Sequence, residues 1–270
     1  MKLVSWNVNS LRVRLEHLEK WLAIEAPDVL GLQETKLTDD KFPKAEIQAL
    51  GYHCVYSGQP TYNGVAILAK ASRFQAIGDW SCEEPRMPSD QKRFIAATLK
   101  AVKGDAQLRF INLYVPNGSE VGSEKYSYKL QWLDALELRL QEEQARYPLC
   151  CVVGDFNIAP ADIDVHDPRA WQDKILCSIP ERQRFTKLLN LGFSDSFRSH
   201  AGPVTQTFSW WDYRQGGFRR NQGLRIDHIL ASQELMALCT EVSIDRTPRG
   251  WEKPSDHAPA VARFNVEGLV

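Results

Sequence analysis

The chain has 270 residues, 43% of them hydrophobic, and a formal net charge of −1 at pH 7. This length and composition are enough to bury a large core, which excludes a disordered chain. No apolar run approaches the roughly 18 residues of a membrane span, and the N-terminus turns polar before the apolar stretch of a signal peptide could form. We therefore expect a soluble, cytoplasmic protein, with a monomer as the default state.

The near-neutral charge lacks the basic footprint that non-specific DNA binding usually leaves. Net charge is only a sum, however, and acidic and basic side chains can lie on different parts of the surface. The segment 214–225, RQGGFRRNQGLR, contains four arginines and no acidic residue. A solvated loop and a phosphate-binding surface both explain this segment.

The six cysteines show no C-x-x-C spacing, and Cys150 and Cys151 lie next to each other inside an apolar run. Neither a zinc site nor a disulfide framework is expected from this pattern. The cysteines are interpreted as reduced and mostly buried thiols.

Eight short apolar runs have the composition of β-strands, and three segments have the character of helices. The predicted strands are 2–8, 28–34, 64–70, 93–102, 108–115, 149–157, 224–232 and 258–264, and the predicted helices cover the leucine-patterned segments 11–22 and 130–140 and the segment 180–191. Because a helix does not follow every strand, the residues alone favour antiparallel sheets covered by helices. No linker divides the chain, so one domain is expected over residues 1–270. The similar segments VSWNVN and VVGDFN are compatible with two sheets packed face to face.

Polar side chains occur where many of these strands begin or end. The residues concerned are Asn7, Asn9, Glu34, Tyr114, Asn117, Asp155, Asn157, Asp227, Asp256 and His257. Taken singly, most of them are ordinary turn residues. Taken together, they form a set of the kind that builds functional sites at the rim of a rigid sheet.

Two of the carboxylates are placed where burial is costly. Asp227 lies between Ile226 and Ile229 in an apolar strand pattern, and Asp155 follows the run CCVVG. An ionised carboxylate in such a place needs an ionic partner or a cation. An oxygen-rich set without cysteine suits Mg²⁺ or Mn²⁺, and such a metal supports phosphodiester hydrolysis.

Five motifs, in this order along the whole chain, carry a resemblance to a known family. WNVNSLR, LQETK, GDFNIAP, GLRIDHIL and EKPSDHAP resemble the exonuclease III family of AP endonucleases, within the endonuclease/exonuclease/phosphatase superfamily. The resemblance implies an α/β fold of the α+β type, a four-layered sandwich of two packed mixed β-sheets flanked by helices. It also implies a Mg²⁺-dependent (or Mn²⁺-dependent) DNA-repair phosphodiesterase that acts on double-stranded DNA with abasic sites or blocked 3′ ends, as AP endonuclease, 3′-phosphatase or 3′-phosphodiesterase, and 3′–5′ exonuclease.

By the same resemblance, Glu34 is expected to bind the metal, with Asn7 and Asp256 near it. Asp155 is expected to orient or deprotonate the attacking water. These assignments come from the motifs and not from the spacing of the residues.

The resemblance also assigns the residues that hold the phosphate. Asn157 and Tyr114 are expected to contact it, and His257 to face it as a cation. Asp227 is expected to hold the tautomer of His257 and to raise its pKa from about 6.5. An Asp-His pair also fits a nucleophilic triad, but the sequence has no G-x-S-x-G motif.

The DNA contacts are expected around the two adjacent tryptophans, one of which we assign to the core. By resemblance, Trp210, Leu224 and Ile226 form an apolar pocket for an extrahelical abasic sugar. Extruding a nucleotide from the duplex costs least where no base must be unpaired. Arginines interleaved with aromatic residues can meet phosphates. The candidate residues in the arginine segment are Arg219, Arg220 and Asn221.

The loop after GDFNIAP contains His166, which is bulky for a position beside that pocket. One hypothesis is that His166 narrows the pocket and restricts the enzyme to 3′ ends. The alternative is that His166 points into solvent or caps the following turn.

Two other classes of protein remain in view at this stage. One is a superfamily phosphatase for inositol phosphates or a sphingomyelinase-like phosphodiesterase, which would be favoured by an arginine segment too short to reach duplex DNA. The other is a catalytically silent binding module, which is disfavoured because none of the motif residues for metal and water is replaced.

Overall fold

The computed structural model describes residues 1–84, 86–202 and 206–266. The strands in this part of the chain are β1 (Lys2–Asn7), β2 (Val29–Gln33), β3 (Tyr52–Ser57), β4 (Val65–Lys70), β5 (Asp79–Ser81), β6 (Phe94–Lys100), β7 (Gln107–Tyr114), β8 (Cys150–Asp155), β9 (Phe193–Asp195), β10 (Asp227–Ser232), β11 (Cys239–Ile244) and β12 (Ala260–Phe264). They form two six-stranded sheets, with the orders β11-β12-β1-β2-β4-β3 and β5-β6-β7-β8-β10-β9.

Helices cover the outer faces of both sheets. They are α1 (Leu11–Glu25), α2 (Lys44–Ala49), α3 (Glu124–Arg146), α4 (Pro168–Trp171), α5 (Ile179–Asn190), α6 (Ser196–Ala201) and α7 (Gln233–Met236), with short 3-10 helices at Asp39–Lys41, Asp162–Asp164, Arg214–Gly216 and Thr247–Gly250. The three predicted helices correspond to α1, α3 and α5. No helix among the described residues is long and apolar enough to cross a membrane.

Local sequence explains where the long helices begin. The hydroxyl of Ser123 accepts a hydrogen bond from the Tyr126 backbone N–H at 3.1 Å and caps α3. At the start of α5, Ser178 and Glu181 form a reciprocal capping box, followed by a proline in the first turn. Both patterns satisfy backbone N–H groups that have no partner inside the helix.

The core has the four layers that the family resemblance implies. Between the two sheets, side chains such as Ile67 of β4 and Phe110 of β7 are fully buried in one apolar core. On the outer faces, Trp21 of α1 packs over the first sheet, and Trp132 of α3 over the second. The predicted α/β sandwich of two mixed sheets flanked by helices is confirmed.

Each sheet contains one parallel pair of strands, which corrects the purely antiparallel arrangement favoured by the residues alone. β1 runs parallel to β2, and β7 runs parallel to β8. Helix α1 connects the first pair and α3 connects the second, as parallel strands require a crossover. The two sheets therefore have equivalent topologies in which β1 corresponds to β7 and β2 to β8. The similar segments VSWNVN and VVGDFN, in β1 and β8, are not equivalent in this topology.

Buried amides join the two sheets beneath the rim where β2 and β7 end. The side chain of Gln33 donates to Asn112 Oδ1 at 2.6 Å, and Asn112 donates to the carbonyls of Leu32 and Ala66 at 2.8 Å each. A Cβ on Gly31 would lie 2.7 Å from Val153, so the sheets are too close there for a larger residue. This tight contact fixes the distance between the strand ends of the two sheets.

Candidate active site

The predicted polar residues meet at one rim because parallel strands end, and their antiparallel neighbours begin, at the same edge. Tyr114 ends β7 beside Asp155 at the end of β8, and Asp227 begins β10 directly opposite Asp155. In the first sheet, Asn7 ends β1, and Glu34 directly follows β2. The two sheets thus contribute carboxylates to one shared site.

Glu34, Asp155 and His257 form a compact cluster in which one ligand atom from each lies within 4.8 Å of the others. Asn7 is fully buried, and its amide donates to Glu34 Oε1 at 2.8 Å and to Asp155 Oδ2 at 3.0 Å. The amide therefore holds the two carboxylates facing each other. The Asn9 backbone N–H holds the other side of the Asn7 amide, at 2.9 Å.

Several residues of the site have left-handed backbone conformations, among them Glu34 and Asn157. Glu34 has φ 52° and Asn157 has φ 50°. This conformation is uncommon for residues other than glycine. Asparagine tolerates it better than most, because its short side chain can form a local hydrogen bond, so the conformational cost is greater at Glu34. Strain of this kind occurs at functional sites, where the surrounding structure holds it in place. At Glu34 the chain is held by the next residue, because Thr35 N–H donates to the carbonyl of Gly64 at 3.2 Å.

His257 is held between two carboxylates. Its Nδ1 donates to Asp227 Oδ2 at 2.8 Å, and its Nε2 lies 3.7 Å from Asp155 Oδ2. Burial lowers the pKa of His257, but the charges of Asp227 and Asp155 outweigh burial and raise this pKa to about 10. The imidazole is therefore a cation whose Nε2–H points into the cluster.

Asp155 is fully enclosed, and burial raises its pKa to about 7, helped by Asp227 and Glu34 and opposed by His257. Its Oδ1 accepts the backbone N–H of Asn157 at 2.9 Å. A carboxyl group that titrates near neutral pH can hold or release a proton during a reaction. Asp155 has this property because of its surroundings and not because of its residue type.

Tyr114 lies beside the carboxylates as a neutral donor. Burial, followed by the charges of Glu34 and Asp155, raises the pKa of its phenol well above the usual value. The Arg93 guanidinium lies 4.6 Å from the centre of its ring. The phenol therefore keeps its proton and can donate a hydrogen bond.

Asn157 faces the same site with its amide held by three neighbours. Its side-chain nitrogen donates to the carbonyl of Val115 at 3.0 Å and approaches Asp155 Oδ2 at 3.3 Å, and its Oδ1 accepts from Asn117 at 3.1 Å. The predicted phosphate contacts Tyr114 and Asn157 thus lie on neighbouring strand ends.

Asp256 lies outside the compact cluster. Its carboxylate accepts from the Asn9 side chain at 2.8 Å and from the Trp210 indole at 3.0 Å. Burial raises its pKa, but the His257 charge and these hydrogen bonds outweigh burial and lower it. It is connected to Glu34 through Asn9 and Lys36, since Lys36 Nζ lies 2.6 Å from Asn9 Oδ1 and 2.9 Å from Glu34 Oε2.

Sequence reasoning missed several residues that hold this site. Lys36 belongs to the quoted motif LQETK, so the motif itself contained the signal. Ser209 accepts the backbone N–H groups of Ile226 and Asp227 at 3.0 Å each, and Arg93 packs on Tyr114. Neither Ser209 nor Arg93 stands out in the sequence, because each acts through a contact distant along the chain.

The residues predicted for the abasic pocket are together in the fold. Leu224 and Ile226 are buried in a small apolar cluster against which the half-buried Trp210 packs. Trp210 forms isolated β-bridges with Leu224 and His257. The pocket candidates are therefore adjacent to the cluster of Glu34, Asp155 and His257. Trp211, the neighbour of Trp210, is fully buried and is the tryptophan of the core.

His166 is half-buried and hydrogen-bonded to the segment before β10 that carries Leu224 and Ile226. Its backbone N–H donates to the Gly223 carbonyl at 3.1 Å, and its ring nitrogen Nδ1 lies 3.2 Å from the same oxygen. Its ring meets Trp171 edge to face at a centroid distance of 6.5 Å. The side chain is thus packed between Gly223 and Trp171, next to Leu224.

The arginine segment is divided between surface and core. Arg219, Arg220 and Asn221 are exposed, and the Asn221 side chain accepts from the Trp211 indole at 3.3 Å. Arg225 is 1% exposed and pairs with Asp164 and Asp195 at 2.7 Å each. Only part of the segment is therefore available to a ligand.

The donor set of the cluster fits a divalent metal ion. Two carboxylates, of Glu34 and Asp155, face each other beside the Asn7 amide, and hard cations such as Mg²⁺ prefer this kind of oxygen set. Burial, with the charges of Asp227 and Glu34, raises the pKa of Asp155 against the effect of His257, and a cation bound beside Asp155 would favour its charged form. His257 is a poor metal ligand, because both of its nitrogens carry protons.

Known proteins match this chain over its whole length. A family model described as the Endonuclease/Exonuclease/phosphatase family matches residues 4–257. Exodeoxyribonuclease III of Haemophilus influenzae is 38% identical over 280 aligned residues, covering 98% of this chain and 100% of that protein. The solved structures of a Neisseria 3′ phosphatase, NExo, bound to a product DNA hairpin and of an AP endonuclease from Archaeoglobus fulgidus match with TM-scores of 0.90 and 0.89 and identities of 46% and 39%; each match covers 98% of this chain and 100% of the other. The chain belongs to the endonuclease/exonuclease/phosphatase family.

Proposed function

We propose that this protein is a Mg²⁺-dependent or Mn²⁺-dependent DNA-repair phosphodiesterase that hydrolyses duplex DNA at abasic sites and blocked 3′ ends. The observation that carries the proposal is the cluster in which Glu34, Asp155 and His257 lie within 4.8 Å of one another. Support comes from the exodeoxyribonuclease III and AP endonuclease relatives. Abasic-site incision and 3′-phosphate removal share one chemistry, since each breaks a P–O3′ bond and leaves a 3′-hydroxyl.

Asp155 is the proposed acceptor of the proton of the attacking water. The water oxygen forms the new bond to phosphorus, and its proton passes to Asp155. The P–O3′ bond breaks with its electron pair on the 3′ oxygen, which takes a proton from solvent to become the 3′-hydroxyl. The pKa of about 7 suits a group that must be ionised before the step and protonated after it. The Asn7 amide and the Asn157 backbone N–H orient the carboxylate for this transfer.

The other residues stabilise charge on the phosphate. His257 presents its Nε2–H as a cation, and Asp227 maintains this tautomer by accepting from Nδ1. Tyr114 and Asn157 add neutral donors. Donors that are in place before the reaction stabilise a developing oxyanion without reorganisation.

Glu34, with Asn7 beside it, would hold the metal next to Asp155, and Asp256 would act near it through Asn9 and Lys36. A bound divalent ion supplies charge stabilisation on the phosphoryl and leaving oxygens.

Arg219, Arg220 and Asn221 are the proposed contacts to the DNA backbone, and Trp210, Leu224 and Ile226 the proposed contacts to the extruded sugar. Trp210 bridges to His257 and to Leu224, which supports sugar contacts beside the cluster of Glu34, Asp155 and His257. All of the cluster's residues come from one chain, so we propose that a monomer is active. The six cysteines are free thiols, as is usual in the reducing cytoplasm, where we place the protein.

A direct experiment compares two duplexes, one with an internal abasic site and one nicked with a 3′-phosphate, at equal Mg²⁺. Turnover of either substrate that stops with EDTA and returns with Mg²⁺ supports the proposal, and Mn²⁺ replaces Mg²⁺ in a parallel series. An enzyme that instead hydrolyses inositol phosphates or sphingomyelin, or a protein with no turnover under any of these conditions, contradicts it.

A second candidate, cleavage restricted to 3′ ends, is favoured by the position of His166. The half-buried imidazole lies between Gly223 and Trp171, beside buried Leu224, and the 46% identical Neisseria structure is that of a 3′ phosphatase. On this alternative, His166→Gly raises kcat/KM on the internal abasic site and leaves 3′-phosphate removal unchanged. Equal abasic-site rates for the wild type and H166G would show that His166 does not obstruct the pocket.

A further inference from the structure

A buried lysine lies behind the catalytic asparagine, on the side away from the proposed substrate. Lys129 of α3 is 0% exposed, as is its ionic partner, Glu181 of α5. The pair lies between the two helices and the loops that follow β7 and β8. None of the five family-like motifs includes it.

All three hydrogen bonds of the Lys129 ammonium go to groups that shape the site. Its Nζ donates to the carbonyl of Asn157 at 2.7 Å, to the carbonyl of Asn117 at 3.1 Å and to the carboxylate of Glu181. An ammonium has three protons, so its donor capacity is filled. One side chain therefore joins the loop after β7 to the loop after β8.

The Asn157 carbonyl is the point where this contact affects the site. Asn157 has φ 50°, so its backbone is in a conformation that needs support. Its side chain points to Asp155 and accepts from Asn117. Because Lys129 holds both asparagine carbonyls, it sets the separation and orientation of the two amides.

Glu181 holds the lysine from the far side and is itself held. Its carboxylate accepts the backbone N–H groups of Leu176 and Ser178 at 3.1 Å each and the Ser178 hydroxyl at 2.6 Å. The Ser178 hydroxyl also lies 2.7 Å from the Tyr126 phenol of α3. The ammonium is thus fixed to two helices and has no freedom to follow the loops.

A buried ion pair of this kind adds little to the free energy of unfolding. Desolvation of two charges offsets much of their attraction, and well-packed apolar residues often stabilise a core as well or better. Lys129 follows this pattern, because burial lowers its pKa in spite of the Glu181 charge. A role in orienting the loops explains why both charges are present.

We propose that Lys129 is a positioning residue for catalysis, which holds Asn157 in its left-handed conformation and so fixes the Asn157 amide beside Asp155 at the proposed substrate site. This inference rests on the proposed function. Lys129 does not touch the substrate, and it acts through Asn157 and through Asn117, which is bonded to it.

The test variant is K129M combined with E181Q, so that no buried charge is left without its partner. Steady-state kinetics on the duplex with the 3′-phosphate are measured for the wild type, K129M/E181Q, N157A and the triple variant. We expect K129M/E181Q to lower kcat about 10- to 100-fold with little change in KM. In the N157A background the same pair of changes lowers kcat less than about 2-fold, because residues that act as a unit are not additive.

The chain offers a matched control in a second lysine–glutamate pair between the same two helices. Lys187 of α5 lies 3.4 Å from Glu137 of α3, and the lysine side chain is 53% exposed. The variant K187M/E137Q should leave kcat and KM at wild-type values. Urea unfolding of every variant identifies any loss of kcat that comes from unfolding.

A readout without catalysis checks the position of the amide directly. In ¹⁵N–¹H spectra of the metal-free protein, the Asn157 side-chain NH₂ pair, assigned by its loss in N157A, should shift in K129M/E181Q and stay in place in K187M/E137Q. An unshifted Asn157 amide, or equal losses of kcat in the wild-type and N157A backgrounds, would overturn the positioning role. A wild-type protein without nuclease turnover would contradict the proposed function instead, and the amide shift would still decide the contact.

If K129M/E181Q fails to fold, K129R is used in its place, and wild-type kcat with an unshifted amide in K129R counts against the proposal.

Discussion

A single amide group, that of Asn7, bridges the two β-sheets at the candidate active site by donating to Glu34 at 2.8 Å and to Asp155 at 3.0 Å. Glu34 follows a strand of the first sheet, and Asp155 ends a strand of the second. The equivalent strands β2 and β8 thus place their terminal carboxylates on either side of one donor. The separation of these carboxylates is fixed by the packing of the sheets.

Replacing Asn7 by alanine should therefore disturb both carboxylates together. Asn7→Ala removes the donor that buried Asp155 shares with partly buried Glu34, which costs about 1–3 kcal/mol of stability. We expect kcat/KM to fall about 100-fold, since a misplaced carboxylate loses orientation toward the water. Kinetics on the 3′-phosphate duplex measure this, with exposed Asn190→Ala as control, and a loss below about 3-fold in N7A would contradict the bridging role.

His257 and Asp227 should behave as one unit with a basic pH limit. The pKa of His257 is raised to about 10, so its charged form contributes fully to stability below about pH 6.5, and this contribution is lost as the pH rises through about 10. In the folded protein the imidazole stays charged until the pH approaches about 10, so activity should fall only there. Asp227→Asn removes the charge that raises this pKa. The basic limb of the pH–rate profile should then move down by about one to two units.

Double substitution checks the same unit at a single pH. D227N combined with H257A should cost little more than H257A alone, because Asp227 acts through the imidazole. Rates of the four proteins at pH 7.5 measure the coupling. Additive losses, or a basic limb that stays in place in D227N, would rule out the pairing as the source of the histidine charge.

The eight predicted strands are the eight inner strands of the two sheets, and the four missed strands, β3, β5, β9 and β11, are the four edges. Inner strands such as β2 and β8 are buried on both faces and have continuous apolar runs. The edge strand β11 has no fully buried residue. An edge strand is paired on one side only, and its sequence often carries polar residues that oppose aggregation. Apolar patterning therefore predicts the inner strands and gives little signal for the edges.

The sequence predicts that the site residues lie at strand ends, but it does not predict the hydrogen bonds that hold them. Asn7, Glu34 and Asp155 are adjacent because the strand ends coincide, which the sequence pattern indicates. The partners of Asp256, namely Asn9 and Trp210, and the contact of Lys129 with Asn157 depend on loop conformation and helix packing. No local pattern records such contacts, since they join residues that are distant along the chain.

Metal binding should release a proton near neutral pH. Burial raises the pKa of Asp155 to about 7, so the metal-free protein holds part of a proton there, and a cation bound beside it displaces that proton. We expect about half a proton released per metal at pH 7, and an affinity that weakens about tenfold for each pH unit below this value. Calorimetric titration with Mn²⁺ in two buffers of different ionisation enthalpy measures the release.

The source of that proton is identified by substitution. D155N should bind the metal more weakly and release no proton, whereas D79N, a change at an exposed carboxylate of the edge strand β5, should titrate like the wild type. Equal release by D155N and the wild type would show that another group loses the proton.

The arginine segment gives a prediction in which exposure decides the phenotype. Exposed Arg220 has no carboxylate partner within salt-bridge distance among the described residues, and its replacement by methionine should weaken duplex binding and lower the slope of log K against log salt by about 0.9. Buried Arg225 pairs with Asp164 and Asp195. R225M should destabilise the protein by about 3–5 kcal/mol, because Asp195 loses its close cationic partner and Asp164 keeps only Arg198 in the part of the chain that the structure describes. Fluorescence anisotropy on a duplex at several salt concentrations and urea unfolding measure the two effects. A lowered unfolding midpoint for R220M, or an unchanged salt slope, would show that Arg220 stabilises the fold and does not contact DNA. Arg220 and Arg225 have the same side chain and lie in the same segment. The difference between the two predicted effects therefore comes from their burial alone.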